Sequence, residues 1–314
     1  MNTRRLVNNL VFGLVFCIVG TLSLWAQEPS ANAIPVQTVV TVESQHGANA
    51  PVINKEDVMV YEGRDRDKVV DWVPAQGDHA DLEFMVLLDD SSNVSLGTQL
   101  EDIRQFINGQ PASTKIGVAY MQDGIAQVVQ NLTTDHAQAA KALRLPLGAE
   151  TVNGSPYFSL IDLVKRWPAS NARREVLMVT DGIDRYYGTG DLEDPYLQAA
   201  IEDAQRAGII VSAIYTPGVG HFGHSYWLTY WGQLYLAQVA EKTGGEAYYI
   251  GFTGAPVSFA PYLDDTAHRL THQYLLTFLA KPPKKAGLQR IKIKTEVPHV
   301  DLVAPEEVYV PAGR

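Results

Sequence analysis

The stretch LEFMVLLDDSSNVS, Leu82 to Ser95, decides how the chain is to be read. Its first half, LEFMVLL, is a continuous apolar run, the pattern of a strand covered on both faces. Its second half puts two carboxylates, three hydroxyls and an amide directly after that strand. In an alternating α/β sheet, ligands sit beyond the carboxyl ends of strands, so this loop is either a site or a helix cap.

Downstream the pattern alternates. TQLEDIRQFI places Leu100, Ile103, Phe106 and Ile107 at helical spacing, KIGVAYM and IAQVVQNL read as strands, and DHAQAAKALRL and FSLIDLVKRW read as helices. REVLMVT, IIVSAIYT and EAYYIG follow as strands, with LQAAIEDAQRAG and LYLAQVAEKTGG as helices ended by Gly208 and Gly244. This predicts an α/β fold, a doubly wound and mostly parallel sheet with helices on both faces. Upstream, VQTVVTVES and VMVYEGRDRDKVVDWVP read as short strands, too few to hold a core alone. QYLLTFLA, QRIKIKTEV and VDLVAPEEVYV return to strand character near the end. The predicted division is a signal peptide over 1–26, a linker over 27–34, a β segment over 35–80, the α/β domain over 81–272 and a β segment over 273–314. The two β segments are expected to be antiparallel and to pack together.

Of the 314 residues, 46% are apolar and 19% charged, which suits a globular protein with a sizeable core. Arg4 and Arg5, the apolar run Leu10 to Leu24, and Ala26 before polar Gln27 follow the order of a secretory signal, with cleavage expected after Ala26. The mature chain is then secreted or periplasmic, with no membrane span. Removing 1–26 leaves 23 basic against 35 acidic residues, a balance of −12, and removes the single cysteine, Cys17. Disulfides, thiol chemistry and cysteine-ligated zinc are thereby excluded, and nucleic acid is not an expected partner of so acidic a chain.

Three loops fall at predicted strand ends or helix starts: Asp89-Asp90-Ser91-Ser92-Asn93, Asn153-Gly154-Ser155 and Thr180-Asp181-Gly182-Ile183-Asp184. All offer hard oxygen ligands and no sulfur, which suits magnesium, manganese or calcium. Alternate turn residues point to one side, so Asp89, Ser91 and Asn93 can converge while Asp90 faces solvent. The competing reading makes the first loop a helix N-cap and the third a plain turn.

The order of these loops resembles that of the von Willebrand factor type A domain, with its D-x-S-x-S motif, a middle-loop threonine and a later T-D-G. Asp89 and Ser91 match the first motif and Asp181 the last. Asn93 stands where the second serine would be, and Ser155 where the threonine would be. The chain from about Pro35 to Pro311 is also similar to a bacterial exported group of von Willebrand A-related proteins, through Asp57-Val-Met-Val-Tyr61-Glu62-Gly63, Thr243-Gly244-Gly245 and Gln273-Tyr274-Leu275-Leu276-Thr277-Phe278. The resemblance implies a metal-ion-dependent adhesion site holding Mg2+ (or Mn2+ or Ca2+) on Asp89, Ser91, Asn93, Ser155 and Asp181, with a protein partner donating a carboxylate. It implies a binding protein and no catalysis.

Two alternatives stay open, a metal-free scaffold of this fold that binds through an aromatic loop and a metal-assisted hydrolase with Asp90 or Asp184 as base. No G-x-S-x-G nucleophile motif is present. The aromatic loop holds Tyr226, Trp227, Tyr230 and Trp231, the residue types of interface hot spots. Trp227, Trp231 and Leu234, with Tyr230 beside them, keep helical spacing, which predicts packing on the sheet ahead of a recognition surface. His221 and His224 are three apart, but Gly218, Gly220 and Gly223 predict a loop there, and no third ligand follows at zinc spacing.

Overall fold

The computed structural model describes residues 33–45, 51–148, 154–188, 190, 191 and 193–313. The segment read as a signal peptide, nearly all of the linker, and Asn153 lie outside them. Along the chain run β1 (Ile34–Ser44), β2 (Val58–Glu62), β3 (Asp65–Pro74), β4 (Leu82–Asp89), α1 (Leu100–Asn108), β5 (Thr114–Gln122) and β6 (Ile125–Thr133). Next come α2 (His136–Lys141), α3 (Pro156–Arg166), β7 (Arg173–Thr180), α4 (Pro195–Ala207), β8 (Ile209–Tyr215), α5 (Gly220–His224) and α6 (Tyr226–Thr243). The remainder is β9 (Ala247–Tyr248), α7 (Ala260–Thr271), β10 (Gln273–Ala280), β11 (Gly287–Thr295), β12 (Val300–Val303) and β13 (Glu307–Val310).

Six strands form one sheet in the order β6-β5-β4-β7-β8-β9. Every pairing in it is parallel except the β5/β6 hairpin. All eight residues of β4 are buried, because the strand feeds two cores. Phe84, Val86 and Leu88 pack in one with Leu100, Ile103 and Ile107 of α1 and Leu263 of α7. Met85 and Leu87 pack in the other with Leu160 of α3, Ile201 of α4 and Leu236 of α6. Side chains alternate across a strand, so an unbroken apolar run is what a doubly wound sheet requires.

The flanking segments lie in one seven-stranded antiparallel sheet, β12-β1-β10-β3-β2-β11-β13. Val40, Val60, Leu276 and Phe278 fill its core, and Trp72 stacks on Tyr274 with ring centroids 4.4 Å apart. Each half supplies strands the other lacks, which resolves the problem of two segments too small for cores of their own.

A buried polar junction joins the two sheets at the amino end of the parallel strands. Arg173 opens β7 and donates to Leu270 O at 3.2 Å, to Ala80 O at 3.1 Å and to Gln273 Oε1. Gln273 also donates to the buried carboxylate of Glu175.

Two expectations are corrected and one helix is added. VDLVAPEEVYV is two strands, β12 and β13, because Pro305 interrupts the run. His221 and His224 lie in a short helix, where Gly223 lets the backbone close on Gly218: a Cβ at Gly223 would meet Gly218 O at 1.8 Å. Helix α7 escaped the apolar-spacing criterion because Thr266 and Arg269 occupy its buried stripe beside Leu263 and Leu270.

Candidate functional site

At the carboxyl end of β4, the Asp89 side chain is closed by its own loop. Its Oδ1 accepts from Ser91 N at 2.9 Å and Ser91 Oγ at 2.6 Å, and its Oδ2 accepts from Thr180 Oγ1 at 2.6 Å. Asn93 goes elsewhere. Its Oδ1 accepts from Ser95 N at 2.9 Å, capping the 3-10 turn Val94–Gln99, while its N–H donates to Pro217 O. The cap reading therefore holds at the Asn93 end of the loop.

The loop after β7 carries the second carboxylate. Asp181 Oδ1 accepts from Ile183 N at 3.0 Å and from Arg185 Nη1 at 3.2 Å, and Oδ2 contacts Arg185 Nη2. The side chains of this pair are 3% and 2% exposed, so the ion pair is sealed from solvent. Its room comes from Gly218, where a Cβ would lie 2.2 Å from Asp181 Oδ2 and 2.7 Å from Arg185 Nη2. Gly182, at φ +71°, and Gly232 bring α6 against the same loop; a Cβ on Gly182 would meet Gly232 O at 2.3 Å.

Asp90 and Asp184, expected in solvent, are both buried. Asp90 receives two Arg144 N–H bonds at 2.6 Å each and one from Leu147 N at 3.1 Å. Burial alone would raise its pKa, but Arg144, Gln122 and Leu147 together hold the carboxyl below its ordinary value. Asp184 Oδ2 accepts from Ser155 Oγ at 2.9 Å, and its Oδ1 accepts from the N–H groups of Tyr186 and Tyr187.

Asp89, Ser91, Ser155 and Arg185 line one cavity of about 10 Å³, space for about a single water. Asp181 joins this group through Arg185. Burial raises the pKa of Asp181, the Arg185 charge partly offsets that, and the nearby Asp89 adds to it. Asp89, Ser91 and Ser155 of the five expected ligands thus share one cavity, Asp181 borders it through Arg185, and the Asn93 side chain is bonded to Ser95 N instead. Among the described residues, no group of three or more His, Cys, Asp or Glu has the arrangement to hold a metal ion. With a guanidinium seated on Asp181, Ser91 Oγ given to Asp89 and Asn93 spent as a cap, the side chains as placed do not fit a resident divalent cation. Arg185 was the signal missed: it stands four residues after Asp181, a spacing at which an ion pair is readable.

The aromatic loop divides by depth. Tyr226, Trp227 and Tyr230 are 75%, 55% and 56% exposed, whereas Trp231 is half-buried and Tyr235 buried. Rings lead inward from Trp227 through Trp231 and Tyr235 to Tyr157, with centroids 6.0 to 6.2 Å apart. Tyr157 Oη donates to Gly182 O at 2.7 Å, which ties this ladder to the motif loop. The packing predicted for Trp227 and Tyr230 is therefore corrected: both side chains are exposed, and in that first turn of α6 it is Thr229 that is buried.

In strand order and motif placement, the central domain is von Willebrand A-like. No family model matches the chain, and no curated protein does. Among solved structures, it is similar to an aerotolerance-related membrane protein from Bacteroides fragilis, at 14% identity over 60% of this chain and 98% of that one, with a TM-score of 0.45. It is also similar to the conserved hypothetical protein BatB from Bacteroides thetaiotaomicron, at 13% identity over 60% and 97% of the two chains and a TM-score of 0.44. The von Willebrand A domain of SpRpn10 matches at 14% identity over 59% and 94%, with a TM-score of 0.39. No helix among the described residues is long and apolar enough to cross a membrane.

Proposed function

We propose that the chain is an exported, non-catalytic protein-binding module whose face at the carboxyl edge of the parallel sheet works without a bound divalent cation. The observation that carries this is the sealed Asp181–Arg185 pair: the positive charge that would hold the motif loops is supplied by the chain itself. Exposed Tyr226, Trp227 and Tyr230 beside that floor provide the rigid apolar contact area typical of interface hot spots. Export rests on the Arg4-to-Ala26 segment, and a mature chain starting at Gln27 by mass spectrometry is the expected result.

A second reading keeps Mg2+, Mn2+ or Ca2+ on Asp89, Ser91, Ser155 and Asp181, completed by a partner's carboxylate. The convergence of Asp89, Ser91 and Ser155 on a water-sized cavity favours it, and it requires Arg185 to leave Asp181. One titration separates the two. The metal-stripped protein is titrated calorimetrically with each cation, beside Arg185→Met and an Asp89→Ala, Asp181→Ala double variant. The metal-free reading expects saturable binding only in Arg185→Met; saturable heat in the unaltered chain, lost in the double variant, would establish the second. For the partner face, crosslinking to exported proteins should persist in chelator and fall at least tenfold when Tyr226, Trp227 and Tyr230 are all serine. Loss in chelator with no effect of the serines would overturn it.

A further inference from the structure

Two residues outside the motif loops, Asp123 and Ser159, line the same water-sized cavity as Asp89, Ser91 and Ser155. Asp123 opens the two-residue turn between β5 and β6, at φ +47° and followed by Gly124 at +77°, the left-handed pair that an Asp-Gly hairpin turn adopts. The turn accounts for the residue type. It does not account for an exposed carboxylate at the edge of a cavity. Ser159, in α3, tells more: it is wholly buried, and its Oγ has no hydrogen-bond partner. A buried hydroxyl left unpaired costs stability, so a group able to bond it belongs in the cavity.

The kind of group follows from protons already spent. Ser91 Oγ donates to Asp89 Oδ1 at 2.6 Å, and Ser155 Oγ donates to Asp184 Oδ2 at 2.9 Å. A hydroxyl has one proton, so towards the cavity both oxygens can only accept, as the carboxylates of Asp89 and Asp123 do. Arg185 is held by Asp181 and Ile183 O. Among the described residues, neither Asp89 nor Asp123 has a cation within 4 Å. The side-chain wall therefore calls for a donor that carries positive charge. A volume of about 10 Å³ admits a compact ammonium and has no room for a planar guanidinium.

The surroundings suit the rest of such a side chain. Gly124 packs on Phe158, where a Cβ would lie 3.1 Å from Phe158 Cβ, and Phe158 meets the exposed ring of Tyr186 at 5.1 Å. These rings offer an apolar shelf to a methylene stem. The chain's charge of −10 draws a basic partner towards it.

We propose that the cavity receives the ammonium of a lysine presented by the protein partner, which donates to Asp123 and to the hydroxyl oxygens of Ser159 and Ser155. This rests on the metal-free reading of the face, and it reverses the polarity of a site completed by a partner's carboxylate.

The test is a proton–nitrogen NMR titration of the metal-stripped protein with n-butylammonium, the end of a lysine side chain, beside guanidinium, tetramethylammonium and butyrate at matched ionic strength. Butylammonium should shift the amides of Gly124 and Ser159 saturably, at the millimolar concentrations a ligand so small reaches. Guanidinium is too broad, tetramethylammonium has no N–H and butyrate has the wrong charge, so all three should leave those amides in place. Asp123→Asn, which keeps a residue tolerated at positive φ, and Ser159→Ala, which removes an unbonded hydroxyl, should each weaken binding at least fivefold with the rest of the spectrum unchanged. Equal shifts with guanidinium or tetramethylammonium would mean diffuse charge attraction and overturn the site, as would binding that neither variant weakens. No shift with any probe would leave the cavity to a trapped water and overturn this inference alone, because calorimetric titration of the unaltered chain with divalent cations judges the metal-free reading separately. Displacement of butylammonium by Mg2+ would overturn both.

Discussion

Two clusters of carboxylates, one sealed and one only half-buried, are treated differently. At the motif edge, Asp90 and Asp181 each face a guanidinium and Asp89 accepts three hydrogen bonds. In the β2/β3 hairpin, Glu62, Asp65 and Asp67 lie near Lys281, which pairs with Asp65 and whose N–H donates to Glu62 Oε2. Glu62 Oε1 and Asp67 Oδ2 are buried with no hydrogen-bond partner. Burial, then the Glu62 charge, push Asp67 up to about 7 from its ordinary 3.8, with Lys281 opposing. The contrast between Asp90, held below its ordinary value by Arg144, Gln122 and Leu147, and Asp67, raised with no such donors, teaches that donors aimed at a carboxylate can outweigh its burial; at Asp181 burial still wins over Arg185.

The largest effect should come from making the first cluster resemble the second. Arg185→Met leaves Asp181 sealed and unpaired, and urea unfolding should show a loss of about 3–5 kcal/mol. A smaller loss would mean that the Ile183 N–H and water suffice. A neutral donor offers a sharper case: Gln273→Leu strips Glu175 of its amide and Arg173 of one of its three acceptors, and should cost about 2–3 kcal/mol by the same measurement.

Next comes pH. The folded-state pKa of Asp67 lies above its unfolded value, so its stabilising contribution is complete below about 4 and is lost as pH rises through about 7. Asp67→Asn should therefore melt roughly 3–6 °C above the unaltered chain at pH 8 and no higher at pH 4. An equal gap at both values would contradict the titration. The smallest effect sets the baseline: serine at Tyr226, Trp227 and Tyr230 together should change stability by about 0.5 kcal/mol or less per residue, since all three are exposed.

Legibility in the sequence followed distance along the chain. The doubly wound sheet showed in LEFMVLL and REVLMVT because covering both faces requires unbroken apolar runs. The positions of Asp89, Ser91 and Asp181 showed because strand ends present their loops on one side. Asn93 was a cap by residue type and was so used. Arg144, in contrast, reaches Asp90 across 54 positions, and Gln273 reaches Glu175 across 98. Neither leaves a local pattern, and Gly218 signals the Arg185 pocket only once the β8 loop is folded against it.

The pairing of β1 with β10 also sets a clock. Gln273 lies 232 positions after Thr41, so at ribosomal speeds the first strand is made roughly 10–50 s before its neighbour exists. Until then VQTVVTVES has no mate, and a β-prone apolar segment waiting that long is open to wrong pairing. Whatever attends this chain at birth must keep that one segment apart from its like until the last quarter has been delivered.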